Sequence, residues 1–212
     1  QGYHRLPENI SVVGCWAHAR RKFDEAVNAL PKPEQAGSAA LEGQRYCTKL
    51  FAIEKELAGL TPEERYAQRL EREKPVLDAL LAWSYTKKAA PKSALGRAIY
   101  YLQEQWPYLM RYLEDGRLEL SNNRAERSIK PFVMGRKNFL FANTPGGAQG
   151  SATIFSLIET AKENDLDPFR YLVWILGTAP VMAADDPVWP EKLTPAHAPE
   201  CCRNLQAKNA TI

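Results

Sequence analysis

The sequence predicts a mostly helical protein with a few strands, organised around a helical bundle. Three observations predict this. Apolar residues recur at helical spacing in one stripe after another. Pro and Gly fall at or near the ends of those stripes. Only two short segments, 10–14 and 132–142, have an apolar or mixed pattern that reads as a strand.

Taken in order, Ile10, Val12 and Val13 form a short apolar run that reads as a buried strand ending at Gly14. A helix follows with the stripe Trp16, Ala19, Phe23, Ala26 and Leu30, and Pro31 and Pro33 end it. The next stripe is Tyr46, Leu50, Ile53, Leu57 and Leu60, with a stop near Gly59. Thr61-Pro62-Glu63-Glu64 restarts a helix: an N-cap, Pro in the first turn and acids at the positive helix end. That helix is charged early and apolar later, at Val76, Leu77, Leu80 and Leu81, and Pro75 should kink or break it. A basic loop over 87–92 leads to the stripe Leu95, Ile99, Leu102, Trp106, Leu109 and Leu113, with a bend expected at Pro107. These stretches, about 34–114, look like a bundle in their own right. Beyond them, 132–142 reads as a strand or hairpin arm, and Thr144-Pro145-Gly146-Gly147 as a turn or mobile loop. Ile154, Leu157, Ile158 and Ala161 mark a helix to about Asn164, and Asp167-Pro168 opens a last apolar helix from Phe169 to Leu176. A loose tail is expected after Gly177, where Pro, Ala and polar residues dominate.

The 212 residues can bury a sizeable core, and 45% hydrophobic with 25% charged residues is ordinary for a globular protein. No apolar run approaches the roughly 20 residues of a membrane span, so no membrane partner is expected. The chain starts at Gln1 without Met or a signal peptide, which is read as a fragment or a processed chain. Four scattered cysteines point to a reducing, cytoplasmic compartment.

The most informative stretch is LSNNRAERSIKPFVMGRKNFLF, residues 120–141. Glu126 sits among Arg124, Arg127, Lys130, Arg136 and Lys137, and Asn122 and Asn123 lie just before it. Net charge is only +3, so any case for nucleic acid rests on where the charge lies. One reading is structural: Asn123 caps a helix and Glu126 reaches back as the acid of a capping box. Spacing alone favours it, because one carboxylate without a visible partner is weak evidence for catalysis. The other reading is a site for phosphate and a divalent metal, since Mg²⁺ takes one or two carboxylates plus substrate phosphate and cations neutralise a polyanion.

Cys15 and His18 lie three residues apart at the turn into the first helix. Zinc would need three or four ligands, and His4, His197, Cys201 and Cys202 show no matching spacing. Cys15 as a small buried residue and His18 as a hydrogen-bonded one is the simpler reading. Arg20-Arg21-Lys22 is either a solvated face or a phosphate contact. Gly146-Gly147 lacks the lysine and hydroxyl of a phosphate loop.

GCWAHARRKFDEA at 14–26, together with DGRLELSNNRAERSIKPFVMGRKNFLFANTPGGAQGSATIFSLIETAKENDLDPFRYL at 115–172, resembles the C-terminal half of a transposase of the insertion sequence 66 family. The blocks match in order and cover about three quarters of the chain with the helical middle included. The tail after Asp185, including Val188-Trp189-Pro190, departs from the family pattern. The resemblance implies a DDE-type enzyme of DNA transposition, cutting DNA at transposon ends and joining it to a target. It implies an incomplete ribonuclease-H-like α/β core interrupted by a helical-bundle insertion. Residues 1–30 would be the strand and helix of that core, 31–120 the insertion, 121–176 the part with the Glu motif, and 177–212 the tail. In such enzymes two aspartates and one glutamate hold two Mg²⁺ or Mn²⁺ ions. The family Glu falls on Glu126. The aspartates are expected upstream, with Gln1-Gly2-Tyr3 similar to the end of an Asp-Gly-Tyr motif. Neither Asp24 nor Asp115 matches a catalytic position. The resemblance makes Asn122, Asn123, Cys15 and His18 active-site support and Arg124, Arg127, Lys130, Arg136 and Lys137 DNA contacts. The fragment is expected to be inactive without its N-terminal half and the complete enzyme to be a homo-oligomer. The rival reading is a non-catalytic helical DNA-binding or self-association module. A metal hydrolase of small phosphorylated substrates is the weakest alternative, since the basic residues outnumber those one small phosphate needs.

Overall fold

A computed structural model describes residues 10–139 and 144–203, with side chains of 136–139 outside the description. The Gln1-Gly2-Tyr3 reading lies outside the described residues. The chain divides into two compact units, Gln1–Arg124 and Ala125–Ile212.

In the first unit, α1 (Trp16–Asn28) packs on α3 (Ala39–Glu56) and α6 (Ala94–Leu109). The short α2 (Lys32–Gln35) begins where Pro31 and Pro33 end α1. The predicted stripes are the core: Trp16, Phe23, Leu50, Leu57, Leu77, Leu80, Leu102 and Leu109 are buried together. A buried Leu or Phe contributes about 1.5–3 kcal/mol over the exposed state, so this cluster dominates the unit. α4 (Pro62–Arg72) starts on the expected signal. Thr61 Oγ1 accepts from Glu64 N, and the Glu64 carboxylate accepts from Thr61 N at 2.9 Å, closing a capping box. Those hydrogen bonds from Thr61 hold the Glu64 carboxyl below its ordinary value. Pro75 breaks the chain as expected: α5 (Lys74–Thr86) is a separate helix with Pro75 in its first turn. Pro107 falls in the last turn of α6, which passes into a 3-10 turn, Met110–Glu114.

The expected strand at 10–14 is absent. Its backbone groups go to the end of α6: Gly14 N donates to Tyr108 O at 2.8 Å, and Arg111 donates to Val12 O at 2.9 Å. The approach is close enough that a Cβ on Gly14 would lie 2.8 Å from Leu109 N. The second expected strand, 132–142, is helical as far as it is described: α7 (Asn123–Phe139) runs through Pro131. Among the described residues there is no strand and no sheet, only an isolated antiparallel bridge between Leu166 and Arg203. The described residues are therefore all-α, which overturns the expected ribonuclease-H-like α/β core.

In the second unit, α7 meets α8 (Pro145–Glu163) through Phe132 and Phe155, edge to face at 5.5 Å. The expected loop at 144–147 is the start of α8, with Thr144 as N-cap accepting from Gly147 N at 3.0 Å. Asp165, at φ 55, turns the chain out of α8, and Leu166 N donates back to Ala161 O at 2.9 Å. Asp167 then caps α9 (Pro168–Asp185), accepting from Arg170 N at 3.0 Å. Gly177 and Pro180 do not end α9. Past it lie α10 (Trp189–Lys192) and two 3-10 turns, Pro195–His197 and Glu200–Cys202, where irregular tail was expected. Tyr171, buried in this unit's small core, anchors that segment by donating to Leu193 O at 2.9 Å.

Candidate metal-ligating acid and nucleic-acid surface

The motif begins where the connector after α6 ends. That connector is held by Arg69 of α4, a fully buried guanidinium. Arg69 makes a two-pronged ion pair with Glu54 of α3, at 2.7 and 2.9 Å. It donates also to Tyr112 O, Asp115 O and Leu118 O at 2.9, 3.1 and 2.8 Å, and lies over the Tyr112 ring. Five charge-assisted hydrogen bonds from one planar group suit Arg and no other side chain. Gly116 fits because its Cα packs on the first turn of α4; an added Cβ would run into Pro62 O. Asp115, paired with Arg117, has its carboxyl held down to about 2. The connector then docks on the start of α1: Trp16 N donates to Leu120 O at 3.1 Å, and Asn122 N points at Cys15 Sγ at 3.5 Å. Cys15 and Asn122, 107 positions apart in sequence, are thereby brought together.

Tyr112 donates to Glu73 at 2.6 Å, and burial pushes the Glu73 carboxyl from an ordinary 4.5 up to about 7, with Tyr112, Arg69 and Arg72 pulling the other way. Its second oxygen is buried without a partner. The folded state therefore binds a proton that the unfolded state has released between about pH 4.5 and 7. Stability falls as pH rises through that window. Glu73→Gln should flatten this part of the pH dependence, measured as urea midpoints at pH 5 and pH 8. An unchanged difference between the two midpoints would refute the assignment.

α7 begins at Asn123, one residue earlier than the capping-box register places it, and Glu126 lies in its first turn. A carboxylate there is favoured by the helix dipole. Asn122, Asn123, Arg124, Glu126, Arg127 and Lys130 are all exposed. Arg124 makes a 3.3 Å ion pair with Glu119. Arg136 and Lys137 belong to α7, but their side chains lie outside the described residues. His18 is half-buried in the first turn of α1, its backbone N donating to Cys15 O. In the neighbouring basic run, Arg20 lies over the Phe51 ring and Lys22 pairs with Glu25, while Arg21 is exposed.

Among the described residues no group of three or more His, Cys, Asp or Glu is placed to hold a metal ion. Glu126 is a single hard ligand, and a pair of divalent cations needs several. The residues present do not by themselves fit a two-ion centre. Among the described residues no third ligand of the kind zinc requires stands with Cys15 and His18. No described helix is long and apolar enough to cross a membrane.

Sequence reasoning missed Arg69. A signal was available: Arg65, Arg69 and Glu73 recur every fourth residue, a charged stripe where a bundle helix would carry an apolar one. The two arginines of that stripe donate to backbone carbonyls of the connector, Arg65 to Gly116 O as well as Arg69 to Tyr112, Asp115 and Leu118 O.

Residues 1–150 match the family model described as Transposase IS66 family, and residues 156–187 match the IS66 C-terminal element. Three relatives from Sinorhizobium fredii (strain NBRC 101917 / NGR234) are similar over most of the chain. Uncharacterized protein y4hP is 35% identical over 188 residues, covering 84% of this chain and 33% of the relative. Uncharacterized protein y4jD is 37% identical over 178 residues, covering 82% and 34%. Uncharacterized protein y4qI is 35% identical over 168 residues, covering 78% and 30%. The chain thus spans about a third of the length of these relatives. No solved structure matches it.

Proposed function

Because the chain belongs to the IS66 transposase family, we propose that it acts as the C-terminal part of a DDE-type DNA transposase in which Glu126 supplies one carboxylate ligand. The metal would be Mg²⁺ or Mn²⁺, and the two aspartates that complete its ligand set would come from the part of the enzyme that the longer relatives also contain. The observation that carries this reading is the start of α7: an exposed acid in its first turn, preceded by exposed Arg124 and followed over the next turn by exposed Arg127 and Lys130. Those cations favour a polyanion at the same place where the acid favours a divalent ion. Arg136 and Lys137 are assigned to the DNA as well. With one carboxylate, the 212-residue chain has no cleavage activity of its own and keeps DNA affinity.

Arg124→Glu with Arg127→Glu should weaken binding of duplex DNA at low salt. It should also reduce the slope of log K against log salt by roughly 2, at about 0.9 per phosphate contact. Fluorescence anisotropy over a salt series measures both. An unchanged slope would remove this surface from the interface. The non-catalytic DNA-binding module is the outcome in which the slope falls as stated while Glu126→Gln has no effect on cleavage by the chain rejoined to its upstream part.

A further inference from the structure

The turn Glu200–Cys202 lies beyond both stretches that match the family, 1–150 and 156–187. It carries two adjacent thiols that neither the metal-ligand reading nor the DNA surface uses. Both cysteines are free, and their surroundings are opposite. Cys201 is exposed, whereas Cys202 is 1% exposed in the small core with Leu166 and Tyr171. The two side chains hydrogen-bond to each other, and the Cys202 thiol donates to Arg170 O at 3.7 Å. The Arg170 guanidinium donates to Cys201 O at 3.2 Å, which stands a fixed cation beside the pair. An exposed thiol near a cation is the setting of a reactive cysteine. Burial pushes the Cys202 thiol up, so it stays protonated while Cys201 reacts first. Cys47, buried in the first unit with its thiol pushed up to about 12, has no such opening.

The same turn holds its segment on the start of α9. Asp167 N donates to Cys202 O at 2.8 Å, and Leu166 bridges to Arg203. The peptide between the two cysteines is engaged at both ends: Arg170 donates to its carbonyl, and its N–H donates to Pro199 O at 2.9 Å. Adjacent Cα atoms are about 3.8 Å apart, below the roughly 4.4–6.8 Å of an ordinary disulfide. A bond between the two sulfurs is therefore strained and easily reduced, which suits a reversible signal better than a permanent staple. Closing so small a ring turns the intervening peptide away from Arg170 and Pro199, and takes the Cys202 sulfur off Arg170 O. We propose that Cys201 and Cys202 form a redox-labile clasp: a low-molecular-weight disulfide modifies Cys201, Cys202 resolves the adduct, and the vicinal disulfide releases this segment from α9. In the first step the Cys201 thiolate attacks the small disulfide, bonds to one of its sulfurs and expels the other as a thiolate. The Cys202 thiolate then attacks the Cys201 sulfur and expels the second small thiolate. One S–S bond breaks and one forms. Two protein thiols are oxidised, the small disulfide is reduced to two thiols, and these take up the two protons that the cysteines release.

The test is titration of the reduced 212-residue chain with oxidised glutathione, read by mass spectrometry of the tryptic peptide 193–203, which holds both thiols. The wild type should lose two hydrogens in that peptide and release two glutathione molecules per chain. Cys202→Ser should stop at the mixed disulfide on Cys201. Cys201→Ser should react at least about tenfold more slowly than the wild type. Cys201 is exposed, so its variant leaves the core intact and decides the order of attack even where Cys202→Ser loosens the turn. Oxidation of the wild type should speed hydrogen exchange at the Asp167 amide about tenfold or more, and dithiothreitol should restore its protection. A peptide that keeps its hydrogens, or a mixed disulfide that persists on the wild type, overturns the inference. So does a disulfide joining two copies or taking in Cys15 or Cys47 instead, a Cys201→Ser variant that reacts as fast as the wild type, or an Asp167 amide whose exchange oxidation leaves unchanged. None of these outcomes bears on cleavage by the complete enzyme.

Discussion

Glu126→Gln, in the chain rejoined to the N-terminal half proposed for the complete enzyme, should lower metal-dependent strand cleavage by about a thousandfold or more. The amide has nearly the volume of the carboxylate but no charge, and it is a poor ligand for a hard cation. Losing several kcal/mol of stabilisation in the transition state has this effect, since each 1.36 kcal/mol is about tenfold in rate. DNA affinity should not fall, because a negative charge is removed from beside Arg124 and Arg127. Glu126 is exposed at the start of α7, so the substitution leaves the buried cores of both units untouched. Cleavage by the variant at the wild-type rate would take Glu126 out of the chemistry.

Arg69→Met should have the largest effect on stability, about 3–5 kcal/mol, seen as a drop in the urea midpoint. It leaves the Glu54 carboxylate, 15% exposed, without its cation, and three connector carbonyls without donors. The double variant Glu54→Leu with Arg69→Met should recover part of that loss, because a missing pair costs less than a broken one. It should not recover all of it, since the carbonyls of Tyr112, Asp115 and Leu118 remain unserved. Hydrogen exchange should show the connector at 115–122 opening first in the single variant. A loss under about 1 kcal/mol would mean that water replaces the guanidinium and that the clasp is not structural.

The cores of the bundle were legible because burial leaves a periodic trace. Trp16, Phe23, Leu50 and Leu102 stand where a helical period puts them, and they are buried. The break at Pro75 and the start at Thr61 were legible because Pro geometry and N-caps are local. The strands were misread for an equally physical reason. A short apolar run does not say what its backbone will bond to, and the segment 10–14 finds the end of α6 instead of a neighbouring strand. The segment 132–142 was misread as a strand because its mixed apolar and basic pattern carries no clear period, whereas α7 passes through Pro131 and Gly135 with Phe132 packed on Phe155. α9 outlasted Gly177 because Tyr171 and the segment around Leu193 and Cys202 hold it in place, a contact made by distant residues and invisible to local propensity. At the site, the acid and its cations were visible as a cluster in sequence, whereas the meeting of Cys15 with Asn122 and the Arg69 clasp depend on tertiary contacts.

The most direct test of the account is the count of Mn²⁺ ions bound by the extended protein on transposon-end DNA, followed by electron paramagnetic resonance. The account predicts two ions in the wild type, with affinity reduced at least about tenfold in Glu126→Gln, and no tight pair on the 212-residue chain alone. Two ions held equally well by wild type and variant would contradict it.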